Sequence, residues 1–286
     1  MGAGLSSSAA LEVAILKGLS ELSDLGLDPV RVAVLGQRVE NEFVGARVGI
    51  MDQMESSLGN FGEALFIDTR HMTYKVLPLL SPKMELLVIN SGIKHSHASG
   101  EYNQRRKECE KACELLGVRE LRDLTMSDLP RLNELPTILR RRARHVITEN
   151  TRVLEAVRAL ERHEFRALGE LFNLSHLSMR DDFEVSIPQI DALVEICQAQ
   201  SKVFGARMTG GGFGGSIVAL VHGGASMDIG EKVVAEYRRR TGFSASILVP
   251  LPSEDRGGHR KSEPTPGEKR GPERGLSVKP FYFPFA

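Results

Sequence analysis

The sequence predicts an α+β fold, and three observations lead there. Helical and strand-like hydrophobic patterns fall in separate runs, without strict strand–helix alternation. Three strand-like runs follow one another between residues 64 and 89, with helical pattern on both sides. The 286 residues are 41% hydrophobic and 26% charged, enough to bury a core in one or two domains.

The elements can be justified in order. Leu11, Ile15, Leu19 and Leu22 share one face of a first helix, which ends in a loop through Asp24 and Gly26. Asp28-Pro29 starts a second helix, a cap residue followed by proline in the first turn, with Val32, Leu35, Val39 and Phe43 expected inward. Strands are expected at 64–68, 74–79 and 84–89, and a helix, charged on its outer face, at 99–116. Further helices are expected at 150–162, 163–179 and 188–200. A glycine-rich turn at 210–215 leads into a strand at 216–221, then a helix at 228–240 and a strand at 244–249. Residues 253–280 are rich in Pro, Gly, Glu, Lys and Arg and cannot support a core, so 253–286 reads as a disordered tail ending in an aromatic Phe281-Tyr-Phe-Pro-Phe285.

Charge and cysteine content narrow the function classes. With 37 basic and 37 acidic side chains, no general positive excess would hold nucleic acid. No apolar run approaches membrane-spanning length, and Glu12 and Lys17 interrupt the one candidate near the start. Three cysteines, Cys109, Cys113 and Cys197, fit a reducing compartment better than a disulfide framework. The expectation is a soluble cytoplasmic protein, with neither nucleic acid nor membrane as partner.

Several segments could carry chemistry. Gly2-Ala-Gly-Leu-Ser-Ser-Ser8 stands directly before a helix: small residues let backbone approach an anion, hydroxyls donate to phosphate, and the helix terminus adds N–H groups. One hydroxyl could also ligate magnesium. The same segment suits a serine-capped helix and, in form only, a myristoylation pattern. Glu40 borders its helix's apolar face, and Asp52 stands among Ile50, Met51 and Met54, where a carboxylate needs a partner or a task. One reading makes Glu40 a magnesium ligand and Asp52 the group that orients or deprotonates a hydroxyl; the other makes Asp52 a helix cap. Tyr102, at a helix start, suits either a sugar contact or plain packing. His95 and His97 match no zinc pattern, and Cys109 and Cys113 read as core thiols. Arg140 to Arg142 with Arg144 reads as a solvated helix face, with nucleotide phosphate as the alternative. Five glycines in the six positions 210–215 are needed where backbone takes positive φ and approaches a neighbour closely; a plain flexible turn is the alternative.

These segments arrive in one order: GAGLSSSA, VENEFVGARVGIMDQ, NSGIKHSHASGEYNQRR and ARMTGGGFGGS. That order strongly resembles the galactokinases of the GHMP small-molecule kinases, over residues 2 to about 252. The first and last motifs suit any GHMP kinase, whereas GIMDQ and NSGIKHSHASGEY are more specific to galactokinases and their nearest sugar-kinase relatives. The resemblance implies a two-lobed GHMP-kinase fold whose amino-terminal lobe is incomplete. Residues 1–82 would be the remainder of the ATP-binding domain, 83–252 the carboxy-terminal domain and 253–286 the tail.

The implied activity is ATP-dependent phosphorylation of the anomeric hydroxyl of galactose. Gly2, Ala3, Gly4, Leu5, Ser6, Ser7 and Ser8 would form the ATP phosphate loop, Ser8 and Glu40 would hold Mg2+, and Asp52 would be the catalytic residue. Gly49, Asp52 and Tyr102 would meet galactose, and the 210–215 loop would support the site. A kinase for a related sugar such as N-acetylgalactosamine, or a galactose-responsive regulator on the same fold, are the alternatives, and the complete protein is expected to be a monomer. Family members carry an amino-terminal segment of roughly a hundred residues, a small domain's worth, before the phosphate loop. It holds an arginine and a Glu-His-Thr-Asp sugar clamp that nothing here matches. The chain as written is therefore expected to fold poorly alone and to phosphorylate weakly or not at all.

Overall fold

The structure, a computed structural model, describes residues 7–45, 48–60, 62–79, 81–93 and 98–248; the expected phosphate-loop residues 2–6, His95, His97 and the tail lie outside them. Three helices come first: α1 (Ser7–Leu22), α2 (Pro29–Arg38), which passes into a π-helical turn (Val39–Val44), and α3 (Met51–Leu58). The Asp28 cap forms as its sequence position predicts, its carboxylate accepting from the Arg31 N–H at 2.9 Å, with proline in the first turn.

The faces of α1 and α2 differ from expectation. Leu11, Ile15, Leu19 and Leu22 are exposed, and Ala9, Val13 and Ser20 turn toward the neighbouring helices instead. On α2 the buried side is Val32, Ala33 and Gly36, continuing to Glu40, while Val39 is partly exposed and Phe43 lies in solvent. Small side chains let these helices approach closely, and that contact outweighs the larger but outward apolar stripes.

Strands β1 (Glu63–Asp68) and β2 (Thr73–Pro78) form an antiparallel hairpin registered from Glu63 opposite Pro78 to Asp68 opposite Thr73. The second sheet has strand order β4-β5-β3-β6, all antiparallel: β3 (Met84–Asn90), β4 (Val203–Thr209), β5 (Ser216–His222) and the short β6 (Ser246–Ile247). Both of its faces are buried. Leu87 and Ile89 of β3 face one core, with α7 (Pro188–Gln198) and α8 (Ser226–Thr241). Leu86 and Val88 face another, shared with the hairpin and with α5 (Thr137–Glu161) and α6 (Phe165–Ser178). Burial on both sides explains why the central strands read as continuous apolar runs.

Three elements depart from the sequence reading. Strand β4 was not anticipated, because Gly205 and Arg207 interrupt its apolar pattern; Gly205 is required where β4 crosses α6. Helix α5 begins at Thr137, well before the expected residue 150, because the arginine run lies inside it. Two 3-10 segments, Leu121–Asp123 and Met126–Glu134, follow α4 (Ala98–Leu116) and form a further core with it and α5. Their boxes are legible in hindsight: the Thr125 N–H donates to Asp128 Oδ2 at 2.9 Å and the Glu120 N–H to Asp123 Oδ2 at 3.1 Å. No helix among the described residues is long and apolar enough to cross a membrane.

Candidate active site

The amino end of α1 is the first component. Ser7 opens the helix and Ser8 is exposed in its first turn, where backbone N–H groups have no intrahelical acceptor and the helix dipole favours an anion.

One turn further along, Glu12 approaches Glu40, which is only 7% exposed at the start of the π-helical turn. Gln53 of α3, fully buried, donates through Nε2 to Glu12 Oε2 at 3.4 Å. Gly36 leaves room for this meeting, since a Cβ there would stand 3.1 Å from Gln53 Cγ. The Glu12 carboxyl is pushed up, first by desolvation; the Gln53 contact opposes this and the Glu40 charge adds to it. No basic side chain among the described residues forms an ion pair with Glu40. Two adjacent carboxylates, one buried, form a hard oxygen donor set with negative charge to neutralise, which suits Mg2+. Among the described residues no group of three or more His, Cys, Asp or Glu could hold a metal. A magnesium ion here would therefore take most of its ligands from phosphate and water. Glu12 was missed in the sequence, although its spacing of four from Ser8 on one helix was the available signal.

The third component is the start of α3. The Val48 N–H donates to Asn41 Oδ1 at 3.0 Å, and Gln37 Nε2 donates to the Val48 carbonyl at 3.1 Å, which ties this segment to α2. Gly49 follows, exposed and with open space around its Cα. Ile50 and Met54 pack with Ala33 in the core, and Asp52 stands half-buried between them in the first helical turn. In that position its carboxyl group lies at the positive end of the α3 dipole. Tyr102, in the first turns of α4, is close enough to feel it: the phenol is raised, first by desolvation and then by Cys109 and Asp52, with Arg106 opposing. Asp52 and Tyr102, fifty positions apart, are thus near enough to interact electrostatically.

The glycine-rich loop is the fourth. Gly210, Gly212, Gly214 and Gly215 all have positive φ, as does Phe213 at 60°. A Cβ on Gly212 would stand 2.4 Å from the Val185 carbonyl oxygen, and one on Gly214 2.9 Å from that of Ile93. The glycines therefore serve close backbone approach, not a loose turn. The Gly215 carbonyl accepts from Ser91 Oγ at 2.7 Å, which anchors the loop to the end of β3, upstream of Tyr102.

The arginine run is a solvated face only at Arg144, half of whose side chain stays in solvent. Arg142 is 2% exposed and Arg141 and Arg144 pair with Glu184 and Asp182. Cys109 and Cys113 pack against the core around α4 and α5, and burial pushes the Cys109 thiol up to about 12. A cleft of about 260 Å³ between β1 and α5 has a mainly apolar lining, and none of the expected site residues lies in it.

Comparison with known proteins adds family and relatives. Residues 1–60 match the GHMP kinases N terminal domain, and residues 156–239 the GHMP kinases C terminal domain. The chain is 45% identical over 255 residues to a galactokinase of Haemophilus influenzae and 46% identical over 258 residues to one of Glaesserella parasuis; each match covers 87% of this chain and 66% of the relative. The chain thus spans about two thirds of the length of these curated relatives. The crystal structure of Lactococcus lactis galactokinase complexed with galactose is similar at a TM-score of 0.83 and 31% identity, covering 87% of this chain and 66% of that one.

Proposed function

The chain belongs to the GHMP kinase family, and from that premise we propose that it carries out the galactokinase reaction, transferring the γ-phosphoryl group of ATP to the anomeric hydroxyl of galactose. The observation that carries this reading is the helix junction where Glu40 and Glu12 meet one turn from Ser8. It places an acid pair at the amino end of the helix that follows the phosphate-loop sequence.

In this reading residues 2–8 and the α1 terminus bind the ATP phosphates. Ser8 and Glu40 hold Mg2+, which when bound neutralises charge on the transferring group. Asp52 aligns the sugar hydroxyl and accepts its proton. Tyr102 and Gly49 border the sugar; Gly49 has no side chain to obstruct it. The loop at 210–215 backs the site through Ser91 and Ile93. Phosphoryl transfer asks mainly for positioning and charge neutralisation, which these groups supply. Residues 1–82 belong to the amino-terminal ATP-binding domain and 83–252 to the carboxy-terminal domain. The three free cysteines support a cytoplasmic setting.

The test is incubation of the chain, joined to the amino-terminal segment of one of its galactokinase relatives, with MgATP and a panel of sugars, with products read by phosphorus NMR. Galactose 1-phosphate as the main product supports the proposal. Faster turnover of N-acetylgalactosamine makes the protein a kinase of that sugar, and binding of galactose and ATP without turnover makes it a sugar-responsive binding protein.

A further inference from the structure

We propose that Arg142 is a positioning residue for the glycine-rich loop 210–215, acting through the corner Asp182–Val185, and that it holds this loop in fixed relation to the helix that carries Tyr102. The assignment of the loop to the reaction rests on the function proposed above; the mechanical link does not.

The guanidinium of Arg142 is buried and points at three separate places. Its Nε donates to Glu108 Oε2 on α4 at 2.6 Å, its Nη2 to Glu184 Oε2 at 2.6 Å, and its Nη1 to the Asp182 carbonyl. One planar group thereby fixes α4 and the corner after α6 relative to α5. A hydrocarbon side chain of the same size would fill the space, but it would set none of these directions.

The corner needs such a brace. The π-helical turn Met179–Phe183 ends at Glu184 with φ 54° and ψ 50°, a left-handed conformation that a residue with a Cβ keeps only when its surroundings hold it. Arg105 of α4 supplies part of that hold, donating from Nε to the Phe183 carbonyl at 2.7 Å and from Nη2 to the Glu184 carbonyl at 3.0 Å. Arg141 donates to the other oxygen of Glu184 at 2.6 Å.

The next residue seats the loop. The Val185 N–H donates to the Met179 carbonyl at 3.0 Å, and the Val185 carbonyl accepts the Phe213 N–H at 2.7 Å. Gly212 passes so close to the same carbonyl that no side chain fits there. At its other end the Gly215 N–H donates to the Ile93 carbonyl at 3.1 Å, just upstream of α4. The loop is therefore suspended between two points, and Arg142 and Arg105 connect one of them to the helix bearing Tyr102. The guanidinium of Arg105 also lies 6.0 Å from the Phe213 ring centroid.

Hydrogen exchange by mass spectrometry on the full 286-residue chain separates the loop from the sheet it joins. Arg142→Met and Glu184→Gln are expected to speed exchange across 210–215 about tenfold, with 217–221 of β5 unchanged; Arg142→Lys recovers part of the protection. In the galactose assay the same variants lower kcat about tenfold and move the KM for galactose less than about twofold. Unchanged loop exchange, equal acceleration in loop and sheet, or faster loop exchange with kcat unaltered would each overturn the proposal. Glu184, with its side chain 38% exposed, keeps the test decisive if Arg142→Met fails to fold. Absence of galactose 1-phosphate from the unsubstituted chain would bear only on the activity of this chain, which its sequence already predicts to be weak, and the exchange comparison would then decide whether Arg142 holds the loop.

Discussion

Gly205 of β4 runs so close to Gly169 of α6 that a Cβ on Gly205 would stand 1.9 Å from the Gly169 carbonyl oxygen. This backbone-to-backbone crossing sets the distance between α6 and the sheet. Gly205→Ala is expected to push the two elements apart and to destabilise the chain by about 3 kcal/mol or more, since the obstacle is backbone that cannot rotate away. A denaturant midpoint within error of the unsubstituted protein would contradict this.

Gly18 offers the opposite case. It lies inside α1 with open space where its Cβ would be. Gly18→Ala should stabilise by about 0.5–1 kcal/mol by restricting the unfolded chain. The expected readout is a Tm higher by about 1–4 °C.

The acid residues of the site should separate by effect. If Asp52 takes the sugar's proton as proposed, Asp52→Asn should lower kcat about a hundredfold or more with ATP affinity nearly intact. If Glu40 holds the cation as proposed, Glu40→Gln should raise half-saturation by Mg2+ about tenfold or more while galactose binding is little changed. Magnesium titrations of both variants at saturating sugar would distinguish them. Equal behaviour would argue against the assignment of roles.

Glu12 makes a related case. Glu12→Gln keeps the contact geometry with Gln53 but removes the charge that crowds Glu40. If Glu12 adds to the field at the cation, this variant should weaken Mg2+ binding by less than Glu40→Gln does, roughly a few-fold. Calorimetric titration of MgATP into the two variants provides the comparison.

His145 carries a pH prediction. Burial lowers its pKa from 6.5 to about 4, and it stacks on Phe183 with its Nδ1 3.0 Å from Ser178 Oγ. The unfolded chain then binds a proton between those values that the folded chain refuses. Its contribution is therefore complete above about pH 6.5 and lost as the pH falls toward 4, roughly 3 kcal/mol in all. Stability measured from pH 7 to pH 4 should fall less steeply in His145→Gln than in the unsubstituted protein. Parallel curves would show that His145 is not the titrating group.

Elements governed by neighbours in the chain were readable in advance. The Asp28-Pro29 helix start, the strands near 64–89 and the glycine-rich turn each rest on a few consecutive residues, and each forms close to its expected place. The order of motifs was likewise enough to indicate the family. The inward faces of α1 and α2 were misread because a stripe of leucines marks an apolar face without saying what covers it. Small residues at Ala9, Val13, Ala33 and Gly36 instead mark where helices touch.

What required the folded chain were relations between distant positions. No local pattern shows that Glu12 meets Glu40, that Asp52 stands near Tyr102, or that Arg142 reaches Glu108 and Glu184. A run of arginines exposes its charge unless acids from elsewhere arrive to pair with it, and those acids come from α4 and from the corner after α6. Local order follows from backbone preference and side-chain periodicity, which act over a turn or two. The site depends on charges and carbonyls that meet only once the helices close on the sheet.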